Sequence, residues 1–247
     1  MFHKPFIFRH FKVAQDPSVM KVGADSMILG ASVIPGDEKR ILDIGTGTGV
    51  LALMLAQRSN AIIDAIDSDQ LAYMQAKQNF ENSSWGYRMN AYHSSLQDFE
   101  PSGLYKYDLI ISNPPYFEPN HKASQESAKY RERREARSFD NLDFYDLLSH
   151  SARLLSEPGK LYVIIPAPVH QIFVDKAEKC GLFPFYQSCI YSKETSPPVR
   201  YILGLQKQKS AYEENRLVIY ENDGSYTREY IELTKDFHAI ELGERKK

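Results

Sequence analysis

The order of elements along this chain predicts an α/β fold, a seven-stranded, mostly parallel sheet with helices on both faces. Three observations lead there. Short apolar runs bounded by turn residues alternate with longer helical patterns across 247 residues. A glycine-rich turn, Gly45-Thr46-Gly47-Thr48-Gly49, joins one such run to a helix. An acid, Asp67, closes the next run about 20 residues beyond those glycines.

Each element has a local reason. In residues 12–31 Gly23 marks a turn, Asp25 is placed to cap a helix, and the helix begins by Met27. Residue types alone assign no chemistry to that stretch. Arg40 to Ile44 is the first strand of the sheet, and Val50 to Ala56 a helix apolar nearly all round. Ala61 to Ile66 is the second strand, followed by a helix over 70–82 and a third strand over 88–93. Tyr107 to Ser112 is the fourth, short, rich in Ile and Leu, and soon stopped by a double proline. A helix over 141–155, a strand from Lys160 to Pro166 and a helix over 168–180 come next. Strands over 183–191 and 199–206 complete the sheet. The last segment, 216–247, carries a short strand, a helix over 226–237 and a basic tail. A single domain is expected, with 36–208 as a Rossmann-like core between an N-terminal segment (1–35) and a C-terminal extension (209–247).

Composition narrows the class. Hydrophobic residues make up 43% and charged residues 25%, as in soluble globular proteins. No apolar run approaches a membrane span. The first 11 residues are broken by His3, Lys4, Pro5, Arg9 and His10, unlike a secretory signal. Cys180 and Cys189 have no metal spacing, and the seven histidines are scattered. No metal site is expected, and the cysteines are expected as reduced thiols in a cytoplasmic protein. With a formal net charge of −2, any nucleic-acid binding must come from a local basic patch.

Two stretches carry chemistry. The glycine turn lets a ligand approach the backbone where a Cβ would block it. Asp67 suits a bidentate grip on a ribose diol, although Asp67 and Asp69 also suit helix capping. A dinucleotide fingerprint would require glycine at position 50, which is Val50; the pattern ends at Gly49. S-adenosyl-L-methionine has no pyrophosphate to place. Asp43 and the backbone of Gly45, Gly47 and Gly49 can meet its amino-acid end. Ser95 and Asp98 are equally placed by sequence for its adenine amine.

The second stretch is Asn113-Pro114-Pro115-Tyr116, at the end of the fourth strand. Neither proline donates a backbone hydrogen bond, and Pro114 restricts Asn113 to an extended conformation. The result is a stiff display of acceptors beside one aromatic ring. An exocyclic amine is a poor nucleophile because its lone pair is delocalised. Two acceptors that grip its N–H bonds, the Asn113 side-chain oxygen and the Pro114 carbonyl, pull the nitrogen toward tetrahedral geometry. Tyr116 can stack on the planar group. Asn113 thus borders the methyl donor as well as the acceptor. The following 117–140 connection is rich in cations, and Lys129, Arg131, Arg133 and Arg134 suit phosphates while Tyr130 suits a base. A solvated helix face with Arg–Glu pairs explains those residues equally well.

With both motifs in place, the chain resembles a class I S-adenosylmethionine-dependent methyltransferase of the amino-group type. More narrowly it resembles the bacterial tRNA1(Val) (adenine(37)-N6)-methyltransferase family, over nearly its whole length. The segments that carry the likeness are Met20-Lys21-Val22-Gly23-Ala24-Asp25, Asp43 to Gly49, Leu51 to Arg58 and Ile111 to Tyr116. The resemblance implies that Lys21, Val22 and Gly23 pack beside the cofactor. It implies methyl transfer to adenine N6 in the anticodon arm of one tRNA. A monomer is expected. It departs at Ser95, where such proteins often have an acid. Rival expectations are an enzyme acting on a glutamine amide or on rRNA or DNA adenine, and a non-catalytic RNA-binding module that keeps the fold.

Overall fold

A computed structural model describes residues 4–16, 19–101, 103, 105–114, 144–239 and 242. Two short strands, β1 (Phe6–Ile7) and β2 (Lys12–Val13), pair as an antiparallel ribbon. Helix α1 (Ala24–Ser32) follows. The alternating part begins with β3 (Arg40–Ile44), α2 (Val50–Arg58), β4 (Ile62–Asp67), α3 (Gln70–Glu81), β5 (Met89–His93) and β6 (Tyr107–Ser112). After the next helix, α4 (Phe144–Leu154), come β7 (Leu155–Pro166), α5 (His170–Lys179), β8 (Phe183–Tyr191) and β9 (Pro198–Gln206). The chain continues through β10 (Glu213–Val218) and α6 (Arg228–Thr234).

The sheet has eight strands in the order β10-β8-β9-β7-β6-β3-β4-β5, not the seven expected. The extra strand is β10, which the sequence placed in the C-terminal extension; it pairs in parallel with β8. Only β9 runs against its neighbours, pairing antiparallel with β7 and β8. The chain moves outward from β3 to β4 and β5, then returns to the other side of β3 as β6. Strand order therefore reverses between β3 and β6, which is where open α/β sheets bind ligands.

Burial explains the layers. One core lies between the sheet and α1, α2, α3 and the ribbon, and includes Leu53, Met54, Phe80 and Phe237. The other lies beneath α4 and α5, and includes Leu147, Leu148 and Phe173. Helix α2 is apolar nearly all round because Val50 to Ala56 are all buried. Inside β4, buried Asp64 accepts hydrogen bonds from the Tyr107 hydroxyl (2.7 Å) and the Asn90 carboxamide (2.8 Å).

Several boundaries differ from expectation. Helix α1 starts at Ala24 rather than Met27, and its N-cap is Gly23, not Asp25. Asp25 sits in the first turn and pairs instead with Arg200 (3.0 Å). Between α4 and β7 the expected gap disappears: Leu155 lies opposite Tyr107 and Lys160 opposite Leu109, so Ser156 to Gly159 form an irregularity within one strand. The C-terminal helix is shorter than expected, capped by Thr227 and ending at Thr234. Cys180 and Cys189 are unbridged. Among the described residues no helix is long and apolar enough to cross a membrane.

Candidate active site

The ends of β3 and β6 meet at the reversal point. Ile44 and Ser112 are register partners, and the Ser112 hydroxyl donates to the Ile44 carbonyl at 2.9 Å. The next residues are Gly45 and Asn113. The two motifs therefore leave the sheet side by side, about 5 Å apart at strand spacing.

The glycine turn is tied down from within. Gly45 and Thr46 both donate to Ile66 O (2.9 and 3.0 Å), Gly47 to Asp67 Oδ2 (2.9 Å) and Gly49 to Thr46 O (2.9 Å). These amides are thus turned to the protein and do not form the free row that cradles a pyrophosphate. Gly45, Gly47 and Gly49 all have positive φ (68, 58 and 81°). A Cβ on Gly45 or Gly47 would meet nothing within 4 Å, so both face open space. A Cβ on Gly49 would lie 2.5 Å from the Phe80 ring, so that glycine serves close packing of α3.

Asp43 lies fully buried behind the turn. Its Oδ2 accepts from the Thr46 hydroxyl (2.6 Å) and from Ala52 N (3.2 Å), and its buried Oδ1 has no partner. Burial pushes its pKa up from 3.8 to about 7, against the pull of those two hydrogen bonds. An orphaned carboxylate oxygen and a Cβ-free cradle fit a ligand with a cationic amine, which is what the amino-acid end of S-adenosyl-L-methionine supplies.

Asp67 divides its carboxylate between Gly47 N and Asp69 N (2.9 Å each). It braces the turn at the end of β4. Asp69 is the α3 cap, accepting from Ala72 N at 2.9 Å. Ser95 and Asp98 come together beyond β5. The Ser95 hydroxyl donates to Asp98 Oδ2 (2.7 Å) and accepts from Asp98 N (3.1 Å). The structure thus makes them one unit rather than two alternatives.

Sequence reasoning missed how the N-terminal segment is fastened. Ala14 exchanges hydrogen bonds with the Asn79 carboxamide (2.9 and 3.1 Å), and Asp16 N donates to Gln75 Oε1 (3.0 Å). Asn79 also donates to Thr48 O (2.8 Å), joining this strap to the glycine turn. Val22 N is held by Gln15 Oε1 (2.8 Å), and Gly23 opens α1. The signal available in the sequence was a pair of carboxamides, Gln75 and Asn79, four apart on one face of α3. Lys21 is exposed, and Val22 is half-buried against the α1–α2 core.

At the acceptor side, Asn113 Nδ2 donates to the Ser26 hydroxyl of α1 at 3.1 Å. Asn113 is half-buried and Pro114 is buried. Pro115, Tyr116, Lys129, Tyr130, Arg131, Arg133 and Arg134 lie outside the described residues. Among the described residues no group of His, Cys, Asp or Glu is arranged to hold a metal ion.

A glycine turn behind an acid, set against an Asn-Pro motif at the reversal point of the sheet, defines a methyltransferase. The family profile "Methyltransferase small domain" matches residues 18–133. A Flavobacterium psychrophilum protein named tRNA1(Val) (adenine(37)-N6)-methyltransferase is 42% identical over 94% of this chain and 98% of its own length. Proteins of the same name from Christiangramia forsetii (40%, covering 96% and 99%) and Salmonella arizonae (38%, covering 95% of each) are also similar. The chain belongs to the tRNA1(Val) (adenine(37)-N6)-methyltransferase family. Its fold is shared by a predicted O-methyltransferase of Agrobacterium tumefaciens, with a TM-score of 0.64 at 19% identity over 87% of this chain and 98% of that one. A methyltransferase from Pyrococcus furiosus aligns with a TM-score of 0.56 at 20% identity, over 81% and 90%.

Proposed function

We propose that this protein methylates N6 of adenine 37 in tRNA1(Val), with S-adenosyl-L-methionine as donor. The observation that carries the reading is the Ser112–Ile44 hydrogen bond, which sets Gly45 and Asn113 at adjacent strand ends. The relatives' shared name supplies the substrate.

In this reading Asp43 Oδ1 and the open faces of Gly45 and Gly47 hold the amino-acid end of the donor. Asp67 holds its ribose, and the Ser95–Asp98 unit its adenine, with Lys21, Val22 and Gly23 as the flank. The donor supplies an electrophilic methyl group on a sulfonium. Asn113 Oδ1 and the Pro114 carbonyl grip the two N–H bonds of the target amine and turn its lone pair out of the ring plane. The target base leaves its stack to reach them, and Tyr116 stacks upon it. Neither acceptor takes up a proton; they position the nitrogen, and the surplus proton leaves after the N–C bond forms. Positioning is the main source of acceleration. The cations of 129–134 hold tRNA phosphates, and the protein acts in the cytoplasm as a monomer.

Incubation with radiolabelled donor and bulk tRNA, followed by nucleoside analysis, tests this. N6-methyladenosine in a valine tRNA is expected. Label in a protein glutamine, in rRNA or in DNA alone would overturn the substrate, and no donor binding by calorimetry would overturn the enzyme.

A further inference from the structure

We propose that Asn79 is a positioning residue for the methyl donor. It pins the glycine turn through the Thr48 carbonyl and couples that turn to the N-terminal segment. This deepens the reading above and rests on its donor site.

The need arises from the freedom of the turn. Thr48 stands between Gly47 and Gly49, both at positive φ (58 and 81°). Glycine adopts conformations of either hand at little cost, so the chain on each side of Thr48 has other ways to run. Ile66 and Asp67 hold the amides of Gly45, Thr46 and Gly47, all ahead of Thr48. At Thr48 itself the tie comes from α3: Asn79 Nδ2 donates to Thr48 O at 2.8 Å. The open face of Gly47, which meets the donor in this reading, is one residue away.

The chemistry of the contact leaves one arrangement. Asn79 is 2% exposed, and its three partners are backbone groups of fixed polarity. Ala14 N can only donate, so the 2.9 Å contact belongs to Oδ1. Ala14 O and Thr48 O can only accept, so the contacts at 3.1 and 2.8 Å take the two Nδ2 protons. One buried carboxamide thus holds the glycine turn with one proton and the N-terminal segment with the other. Thr48 is also 2% exposed, so loss of Asn79 would strand its carbonyl away from bulk water. Gln75, one helical turn earlier on α3, divides the labour differently. It bonds to the segment at Asp16 N (3.0 Å) and to Gln78 (3.4 Å).

The variants Asn79→Ala and Asn79→Asp test it. Without the tie the turn spends only part of its time in the binding shape, and the apparent Kd rises as that fraction falls. Calorimetry should find donor binding about tenfold weaker in each variant. The kcat at saturating donor and tRNA should stay within about threefold, since bound donor restores the turn and the Asn113 side is untouched. Gln75→Leu loosens the segment but leaves Thr48 held, so its donor Kd should change by less than about threefold. A 13C label on alanine methyl groups gives a readout free of turnover. The Ala14 signal, assigned by its loss in Ala14→Gly, should shift on adding donor to the parent. It should stay still on adding donor to either Asn79 variant.

Four results would overturn the proposal: parental donor affinity in the folded Asn79 variants, a loss confined to kcat, equal weakening in Gln75→Leu, or an Ala14 signal that still follows donor once Asn79 is replaced. If one Asn79 variant does not fold, the other carries the same test. A parental protein that binds no donor sinks the proposed function itself. One that binds donor but methylates no tRNA loses only its substrate, and the affinity comparison still decides the role of Asn79.

Discussion

The ends of β3 and β6 are neighbours, yet they are built in different ways. Beyond β3, the backbone of the glycine turn is held mainly from within and from the end of β4, by Thr46, Ile66 and Asp67, with Asn79 of α3 added at Thr48. Beyond β6, Asn113 is held by Ser26 from a helix 87 residues upstream. The glycine turn thus draws most of its backbone hydrogen bonds from the turn itself and the adjoining strand end. The acceptor half is assembled only when distant parts of the fold have docked.

The contrast can be broken first at Asn113. Asn113→Ala should raise the methyl-transfer barrier by about 2.7–4 kcal/mol, by analogy with loss of one preorganised polar contact. Donor affinity should hardly change, because the donor half does not depend on Asn113. Single-turnover rates with labelled donor, alongside calorimetry, check both; near-parental turnover or lost donor binding would refute the role. Gly49→Ala is the converse. Its φ of 81° and the Phe80 ring 2.5 Å from a new Cβ together predict a destabilisation of about 2–4 kcal/mol. A denaturant midpoint equal to that of the parent would show that the turn relaxes freely.

The next effect concerns protons on the donor side. Burial raises Asp43 from 3.8 to about 7. A carboxyl raised on folding contributes stability that is complete below its unfolded pKa and fades as pH rises through about 7. On account of this group, the ligand-free protein should be more stable at pH 6 than at pH 8. A cationic ligand end against Oδ1 favours the charged form, so donor affinity should fall by up to about tenfold per pH unit below about 7. Asp43→Asn should flatten both profiles. Persistence of the same slopes would place the proton elsewhere. The smallest effect belongs to the acceptor side. The Asp25–Arg200 pair is half-exposed, and Arg200→Ala should lower Tm by less than about 3 °C. A larger fall would mean that α1 docks through this pair rather than through its apolar face.

The same contrast explains what the sequence made legible. The strands from Arg40 to Ser112 could be read because apolar runs, turn glycines and their spacing are local signals. The eighth strand could not be assigned to the sheet. Glu213 to Arg216 is charged and exposed, and nothing in that pattern says that it pairs with β8. Asp43, the glycines and Asn113 were legible as candidates because each stands in a motif. Asp25 was misread as a cap because its true partner, Arg200, is 175 residues away. Ser26 carried no signal, since a serine near a helix start has many ordinary reasons to be there.

Ala14, Asp16 and Val22 are fastened by the carboxamides of Asn79, Gln75 and Gln15. These contacts can open while the central sheet stays intact. Amides such as Ala14 and Asp16 then exchange with solvent through this partial opening, long before global unfolding. Because Asn79 also holds Thr48 O, a ligand that steadies the glycine turn slows their exchange without touching either residue, so occupancy is legible at a distance from the place where it occurs.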